Sequence, residues 1–150
     1  MQKILVAVDG TDASLFALDF AADLAQRLDA ELVLFTVAEH HMSDADSERL
    51  AALERLPTSV GDVAKIYAED ILDRAERRAR TFRGIEISSH WRVMGDPTTE
   101  IAAYARSEPC DLIVVGHRDR GLATQMILGS VARKLLEIAP CPVTIVPERL

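Results

Sequence analysis

The sequence predicts an α/β protein, a three-layer doubly wound sandwich around a five-stranded parallel sheet, with all 150 residues in a single domain. Short continuous apolar runs alternate with longer stretches in which apolar residues recur every three or four positions. This pattern indicates buried strands that alternate with amphipathic helices. Val, Ile, Leu and Ala supply most of the apolar content, and aromatic residues make up only 5% of the chain, which is typical of sheets covered by helices.

The chain begins with a predicted strand, helix and second strand. The run Ile4–Val8 is short, apolar and partly β-branched, and it ends at Asp9–Gly10, so we expect a strand buried on both faces. A helix follows, with Asp12 as its expected N-cap. Residues 32–37 form the next apolar run and the second strand. The apolar stripe of the helix consists of Ala13, Phe16, Ala17, Phe20, Ala21, Leu24, Ala25 and Leu28.

The middle of the chain predicts a helix, a strand and a further helix. Residues 40–57 are polar and receive no assignment. A helix is predicted from Val63 onwards, and Gly84 is expected to end it. Residues 85–94 alternate apolar and polar side chains, which predicts a strand with one more solvated face. Asp96 and Pro97 are the expected N-cap and first residue of the next helix. The apolar residues of the two helices are Ile66, Tyr67, Ile71, Ala75, Ala79 and Phe82, then Ile101, Ala102, Tyr104 and Ala105.

The remainder predicts a strand, a loop, a helix and a last strand. Residues 111–115 form a fourth buried strand that ends at Gly116, and a charged loop follows as far as Ala123. Two prolines, Pro140 and Pro142, separate the helix from the final strand Val143–Val146. The helix is predicted from the spacing of Ile127, Leu128, Val131, Leu135 and Ile138.

The expected topology locates the functional edge of the molecule. Strands that alternate with helices are parallel and joined by right-handed crossovers. Such sheets bind ligands beyond the carboxyl ends of the strands, where the strand order reverses. In this chain those ends are Asp9–Gly10, Val37–Ala38, Gly95–Asp96 and Gly116.

Composition argues against several classes of function. The formal net charge is −7, whereas a protein that binds duplex DNA needs a basic face. Four arginines on the second predicted helix interleave with acidic residues, so we expect a salt-bridged solvent face: Arg74, Arg77, Arg78 and Arg80. No apolar run approaches the roughly 18 residues of a membrane span, and no signal-peptide cleavage site follows Met1. We expect a cytoplasmic protein without membrane insertion or a nucleic acid partner.

Neither the two cysteines nor the two adjacent histidines predict a disulfide or a metal site. Cys110 and Cys141 form neither a CxxC pair nor a disulfide framework, so buried reduced thiols are expected. His40 and His41 have no further ligand at metal-binding spacing, and no metal site is predicted.

The sharpest functional pattern is the segment from Gly116 to Gly121, followed by Gly129–Ser130. A glycine that leaves a strand lets the backbone approach a ligand closely, and the N–H groups of such a loop can surround phosphate oxygens. Arg118 and Arg120 could neutralise phosphate charge. The pattern by itself leaves a second interpretation open, a solvent-exposed loop before a helix that happens to contain Gly-Ser.

Over essentially its whole length the chain resembles the universal stress protein family. The residues that carry the resemblance are Val114 to Val146, residues 4–14, the strand end at Val37 and the turn Val93–Pro97. Nucleotide-binding members of that family have a glycine, two residues, a second glycine, nine residues, and then Gly-Ser or Gly-Thr. In this chain Gly116 matches the first glycine and Gly129–Ser130 the closing pair. Asp119 stands where the second glycine is expected.

The resemblance implies an adenine-nucleotide α-hydrolase-like fold and a regulatory ATP-binding function in the stress response, with or without Mg²⁺. Any hydrolysis should be slow, because no residue is placed to orient water on the γ-phosphate. The resemblance further implies a homodimer through Val143–Val146 and an unidentified regulatory protein partner. It places Asp9 near the adenine or ribose and the backbone of Val37 at the adenine edge. The remaining expected ATP contacts are Gly95, Gly116, Arg118, Gly129, Ser130 and Val131.

Two other functions stay open. A carboxylate beside a triphosphate is repulsive unless Mg²⁺ bridges them, so Asp119 could make the chain a nucleotide-independent dimeric stress factor with a degenerate ATP site. A small-molecule enzyme on the same fold is the third possibility. The lack of a nucleophile motif such as GxSxG and of a general base opposes it. For Asp9 a simpler role is also open, that of a turn residue closing the first strand.

Overall fold

The computed structural model describes residues 1–38, 60–92, 94–117 and 129–148. Five strands and four helices lie in these ranges, in the predicted order. Each predicted element therefore has a counterpart in the described residues. The elements are β1 (Lys3–Ala7), α1 (Asp12–Leu28), β2 (Glu31–Val37), α2 (Val60–Ala79), β3 (Ile87–Arg92), α3 (Pro97–Ser107), β4 (Leu112–His117), α4 (Ser130–Ile138) and β5 (Val143–Pro147).

The five strands form one parallel sheet in the order β3-β2-β1-β4-β5. From β1 the chain builds outward to β3 and then returns to add β4 and β5 on the other side, so the strand order reverses between β1 and β4. Helices α1 and α2 pack on one face of the sheet, and α3 and α4 pack on the other. The predicted three-layer doubly wound fold is confirmed.

The central strand β1 shows why the sequence contains continuous apolar runs. Ile4 and Val6 belong to the cluster with α1 and α2, whereas Leu5 between them belongs to the cluster with α3 and α4. All three side chains are fully buried, and each contributes roughly 1.5–3 kcal/mol relative to an exposed position. The edge strand β5 is only half-buried. No helix in the described ranges combines the length and the apolarity that crossing a bilayer requires.

Two predicted helix boundaries were wrong. The N-cap of α1 is Thr11 rather than Asp12, because the Thr11 backbone is extended and its Oγ1 accepts a hydrogen bond from the Ser14 N–H at 3.3 Å. Asp12 is instead the first helical residue, where a negative charge interacts favourably with the helix dipole. Helix α2 ends at Ala79 rather than at Gly84. Gly84, with a φ of +79°, lies in the turn that leads to β3.

Strand ends also differ from the prediction. Strand β4 continues through Gly116 to His117, because Gly116 pairs with Val146 and His117 pairs with Pro147 of β5. A partner strand thus extends β4 past the glycine that was expected to end it. Strand β3 is shorter than predicted, with residues 87–92. Ile127 and Leu128, predicted in the last helix, lie outside the described residues.

The arginine face predicted on α2 is confirmed as a salt-bridged surface. Arg74 Nη2 lies 3.1 Å from Asp70 Oδ2, one helical turn away. Arg78 reaches across to α1, where its Nε and Nη2 lie 2.7 and 2.6 Å from the two carboxylate oxygens of Asp19. This bidentate pair links the two helices, and both side chains are partly exposed. Such pairs contribute at most about 1 kcal/mol.

A single carboxylate holds the start of the chain against β4. Asp111 Oδ2 accepts hydrogen bonds from the backbone N–H groups of Gln2 and Lys3, at 2.7 and 2.9 Å. The Asp111 N–H donates to the Lys3 carbonyl at 2.9 Å. The hydrogen bonds from Gln2 and Lys3 favour the charged carboxylate and therefore lower the pKa of Asp111.

We expect Asp111→Asn to reduce the free energy of unfolding at neutral pH and to reduce it much less near pH 3. The pKa of Asp111 is lower in the folded state than in the unfolded chain. The carboxylate therefore stabilises the fold above the unfolded pKa, about 3.9, and this stabilisation is lost as the pH falls through the folded pKa. Urea unfolding between about pH 3 and pH 7 measures the difference. Asp29→Asn at the C-cap of α1 is the matched control. A difference between wild type and Asp111→Asn that stays constant with pH would contradict this role.

Candidate functional site

Three predicted site residues lie at the same edge of the sheet. Asp9 follows β1, Val37 is the last residue of β2, and Gly116 is the penultimate residue of β4. Since these three strands are neighbours in the order β2-β1-β4, their carboxyl ends stand side by side at the reversal of strand order. In doubly wound sheets this is the position where ligands bind.

The turn between β1 and α1 is organised by the Asp9 side chain. Asp9 Oδ1 accepts hydrogen bonds from the Thr11 N–H at 2.9 Å and from Thr11 Oγ1 at 2.5 Å. Ser14 is buried beneath the turn; its Oγ accepts from the Asp9 N–H at 3.3 Å and donates to the Thr11 carbonyl at 2.9 Å. Gly10 between them has a φ of +82°, which favours glycine. Asp9 therefore closes the turn after β1, the simpler of its two expected roles, and it also lies at the edge where the site is predicted.

Gly116 allows β4 to touch the first turn of α1. A Cβ atom at this position would lie 2.3 Å from the Ala13 carbonyl oxygen and 3.0 Å from the Ser14 nitrogen. Both are backbone atoms, so no side chain can move aside to make room. The sequence predicts that a ligand approaches the backbone closely at Gly116, and in the structure helix α1 also approaches it closely. The end of β4 and the Asp9 turn are consequently in direct contact.

Gly95 follows β3 at the same edge and is also constrained by its surroundings. Its φ is +123°, and a Cβ atom would lie 2.8 Å from Glu100 Oε1. Asp96 is the N-cap of α3, as predicted, and its Oδ2 accepts hydrogen bonds from the Thr99 N–H and hydroxyl, both at 3.0 Å. Gly95 thus leads the chain from β3 into a capped helix, and its positive φ explains why a side chain is missing there.

Helix α4 begins differently from α1 and α3. Its N-cap is Gly129, and no side-chain hydrogen bond caps it among the described residues. Ser130 and Val131 are its first two residues; Gly129 and Ser130 are exposed, and Val131 is half-buried against the core. The first N–H groups of a helix have no partner within the helix and carry partial positive charge. This arrangement can bind an anion.

The peptide groups of Val37 point past the end of β1. The last paired residues of the two strands are Ala7 and Phe35, and the Phe35 carbonyl accepts from the Val8 N–H at 2.9 Å. Val37 lies two residues further on, so its N–H and C=O point to the same side of β2 as those of Phe35. One donor and one acceptor therefore face the space beyond β1, next to the Asp9 turn.

Two polar residues at this edge, His117 and Lys134, are not among the predicted site residues. His117 is the buried last residue of β4. Alternation along the strand places its side chain on the α3 and α4 side, since Val115 belongs to that cluster. Lys134 lies one helical turn after Ser130, and its Nζ is 3.9 Å from Asp96 Oδ1. The spacing of four between Ser130 and Lys134 was the available signal, because such residues share a helix face.

A cavity of about 210 Å³ adjoins the Asp9 turn on the side of α1 and α2. Its wall combines apolar side chains with the two arginines that pair with Asp70 and Asp19. The lining residues are Val8, Gly10, Leu15, Ile71, Arg74, Ala75 and Arg78. The cavity therefore lies between Gly10 of the Asp9 turn and the paired arginines of α2.

Several predicted features lie outside the described residues: Arg118, Arg120, Asp119, Gly121 and the pair His40–His41. Among the described residues, no group of three or more His, Cys, Asp and Glu side chains could hold a metal ion.

Comparison with known sequences identifies one family. A sequence model described as the universal stress protein family matches residues 1–147. Universal stress protein YxiE of Bacillus subtilis is 33% identical over 148 residues, which cover 96% of this chain and 97% of that protein.

Solved structures of the same family are similar over the whole chain. A universal stress protein in complex with cAMP has a TM-score of 0.71 at 26% identity, covering 99% of this chain and 98% of that one. A universal stress protein of Archaeoglobus fulgidus in complex with dAMP has a TM-score of 0.68 and covers 97% and 98%; at 23% identity it shows the fold alone. The adenine-nucleotide α-hydrolase-like fold expected from the sequence is confirmed.

We expect Gly116→Ala to lower the free energy of unfolding by about 3 kcal/mol, because the new methyl group would overlap the backbone of α1. Gly84→Ala is the matched control. Gly84 has a positive φ, but a Cβ atom added there would have no neighbour within 4 Å, so the cost is about 1 kcal/mol of backbone strain alone. Urea denaturation measures both. Equal losses in the two variants would contradict the close contact between β4 and α1.

Proposed function

Because this chain belongs to the universal stress protein family, we propose that it is a regulatory adenine-nucleotide-binding protein of the stress response, with ATP as its ligand. One observation carries the proposal. Among the described residues, no side-chain hydrogen bond caps the helix that begins at the exposed pair Gly129–Ser130. This pair closes the motif whose first glycine, Gly116, is the penultimate residue of β4, beside the Asp9 turn. The complex of a similar protein with cAMP supports an adenine nucleotide as the ligand class.

The phosphates are proposed to bind at the start of α4. The N–H groups of Ser130 and Val131 and the Ser130 hydroxyl offer donors to phosphate oxygens. Lys134, one turn further along the same helix, brings a positive charge whose Nζ also lies 3.9 Å from Asp96 Oδ1. By the resemblance, Arg118 adds a second positive charge. These groups bind and neutralise an anion, and no general base for hydrolysis is among them, so hydrolysis should be slow.

The adenine is proposed to lie between Val37 and the Asp9 turn. The Val37 N–H and C=O supply one donor and one acceptor in the direction of this space, which complements the acceptor and donor on the edge of adenine. Asp9 stands beside it, held by Thr11. Gly116 has no side chain, so the surface between the proposed adenine position and the start of α4 is open. We propose that the ribose lies there, against the Gly116 backbone.

Asp119 distinguishes the proposal from its main alternative. In the first case a Mg²⁺ ion bound by the phosphates also interacts with the Asp119 carboxylate, since Mg²⁺ binds phosphates together with one or two carboxylates. In the second case the Asp119 charge repels the triphosphate, and the chain is a nucleotide-independent dimeric stress factor. The expected cytoplasmic location and the unidentified regulatory protein partner stay predictions.

A homodimer through β5 is part of the proposal, and the register of the sheet supports it. Strand β5 is an edge of the sheet. The Ile113 N–H donates to the Pro142 carbonyl at 3.0 Å, and Ile113 pairs with Val143. The peptide groups of Pro142 and Thr144 therefore face β4, whereas those of Val143 and Ile145 face away from the sheet. A second copy of β5 can pair with these outward groups.

We expect calorimetric titration of the nucleotide-free protein to show micromolar binding of ATP. Ser130→Ala should weaken binding by about tenfold or more, because a hydrogen bond to a charged phosphate is lost. Ser107→Ala is the matched control, since the Ser107 Oγ at the end of α3 donates to the Tyr104 carbonyl at 3.1 Å, away from the site. cAMP titrated in parallel separates recognition of adenosine from recognition of the triphosphate.

The same titration with Asp119→Gly decides between the two functions. A Mg²⁺ requirement in the wild type that disappears in the variant supports the metal-bridged site. Absence of heat in the wild type, with binding gained by Asp119→Gly, would instead establish the nucleotide-independent factor. If neither protein binds ATP or cAMP, the nucleotide-binding proposal is wrong.

We expect Ile145→Pro to convert a dimer to a monomer, as measured by light scattering with size-exclusion chromatography. Proline removes the outward N–H of Ile145 and leaves the hydrogen bonds between β4 and β5 in place. The matched control is Ile145→Ala, which loses most of the side chain but keeps the N–H, and it should still dimerise. If the wild type is a monomer, or if the Pro variant dimerises like the Ala variant, β5 is not the dimer interface.

A further inference from the structure

The two cysteines stand at the amino ends of neighbouring strands. Cys110 precedes β4 and Cys141 precedes β5. The paired residues nearest these amino ends are Ile113 of β4 and Val143 of β5, and the Ile113 N–H donates to the Pro142 carbonyl at 3.0 Å. Cys110 and Cys141 each lie within three residues of this pair, at the ends of strands about 4.8 Å apart. Disulfides span Cα distances of about 4.4–6.8 Å.

Both thiols lie on the same side of the sheet. Cys110 is buried, Cys141 is half-buried, and both are free. They pack into one cluster, together with Ile113, Val143 and Ala139 at the end of α4. A shared face is the second requirement for a disulfide, because the Cβ atoms must point toward each other.

Burial and neighbouring charges disfavour ionisation of both thiols. Burial raises the pKa of Cys110 to about 11, with Cys141 contributing to the increase and Lys3 opposing it. Burial and then Asp111 raise the pKa of Cys141.

We propose that Cys110 and Cys141 are an oxidative modification site, which forms a reversible intramolecular disulfide when the protein meets a peroxide. The more accessible Cys141 thiolate attacks one peroxide oxygen, becomes a sulfenic acid and releases hydroxide, which takes up a proton to give water. The Cys110 sulfur then attacks the Cys141 sulfur. Its proton and the departing hydroxide leave as a second water, so that two thiols are oxidised while one peroxide is reduced.

The disulfide would attach the edge strand β5 to β4 at its amino end. It would close a chain segment of about 30 residues, from Cys110 to Cys141, and the loss of entropy in the unfolded chain would raise the melting temperature by on the order of 10 °C. The nucleotide edge lies at the carboxyl ends of the same strands. Oxidation should therefore change stability without changing nucleotide affinity, and this inference does not depend on the proposed function.

The test treats the full-length protein with a small excess of hydrogen peroxide, followed by thiol titration in denaturant and peptide mass mapping. We expect loss of both thiols, a Cys110–Cys141 cross-linked peptide with two hydrogens fewer than the separate peptides, and full recovery of both thiols with dithiothreitol. Two free thiols after the treatment would overturn the proposal. So would sulfinic acid at Cys141 without a cross-link, or a disulfide between two chains.

Single variants test the order of the steps. In Cys110→Ser the sulfenic acid has no partner, so Cys141 should trap a sulfenic-acid reagent such as dimedone. In Cys141→Ser the buried Cys110 thiol should persist at least tenfold longer than Cys141 does in the first variant, because it is less accessible and less ionised. Equal or reversed rates would overturn the assignment of Cys141 as the attacking thiol.

Discussion

The contact between the backbone of Gly116 and the first turn of α1 is the constraint on which the functional edge depends. It fixes how closely the first turn of α1 approaches the end of β4, and this position of α1 in turn determines the position of the Asp9 turn. The hydrogen bonds among Asp9, Thr11 and Ser14 then close the turn from within. A displacement of β4 at this point would therefore move the first helix, the turn and the adenine side of the proposed site together.

The polar groups of the edge divide into those that serve the fold and those left for a ligand. Thr11 and Asp96 cap α1 and α3, and Asp96 and Glu100 also pair with Lys134 and Arg92. The start of α4 differs, since glycine there provides no cap. In a chain with a net charge of −7, the first N–H groups of α4 are a local source of positive potential. The phosphate contacts are therefore proposed at α4 rather than at α1 or α3.

The sequence was sufficient for the elements and their order, because strands buried on both faces and helices with one apolar stripe have distinct patterns. It located Asp9, Val37 and Gly116 at one edge for the same reason. Predicted boundaries were wrong where an interaction with another residue determines the end of an element. Thr11 rather than Asp12 caps α1, because its hydroxyl accepts from the Ser14 N–H. Pairing with β5 extends β4 past Gly116. The second function of Gly116 depends on a helix more than 100 residues earlier. No local pattern reports such a contact. The proximity of Lys134 to Asp96 likewise required the packing of α4 beside α3.

The direction of the peptide groups in β5 has a consequence for partner choice. Backbone donors and acceptors at an open strand are identical in every protein, so hydrogen bonding there cannot distinguish a second copy of this chain from a related chain with the same fold. Any preference for a second copy of this chain over a related chain must come from the side chains that flank the exposed peptide groups of β5. If β5 pairs as proposed, a mixed pair of this chain and a related chain would form the same continuous sheet as a pair of identical chains.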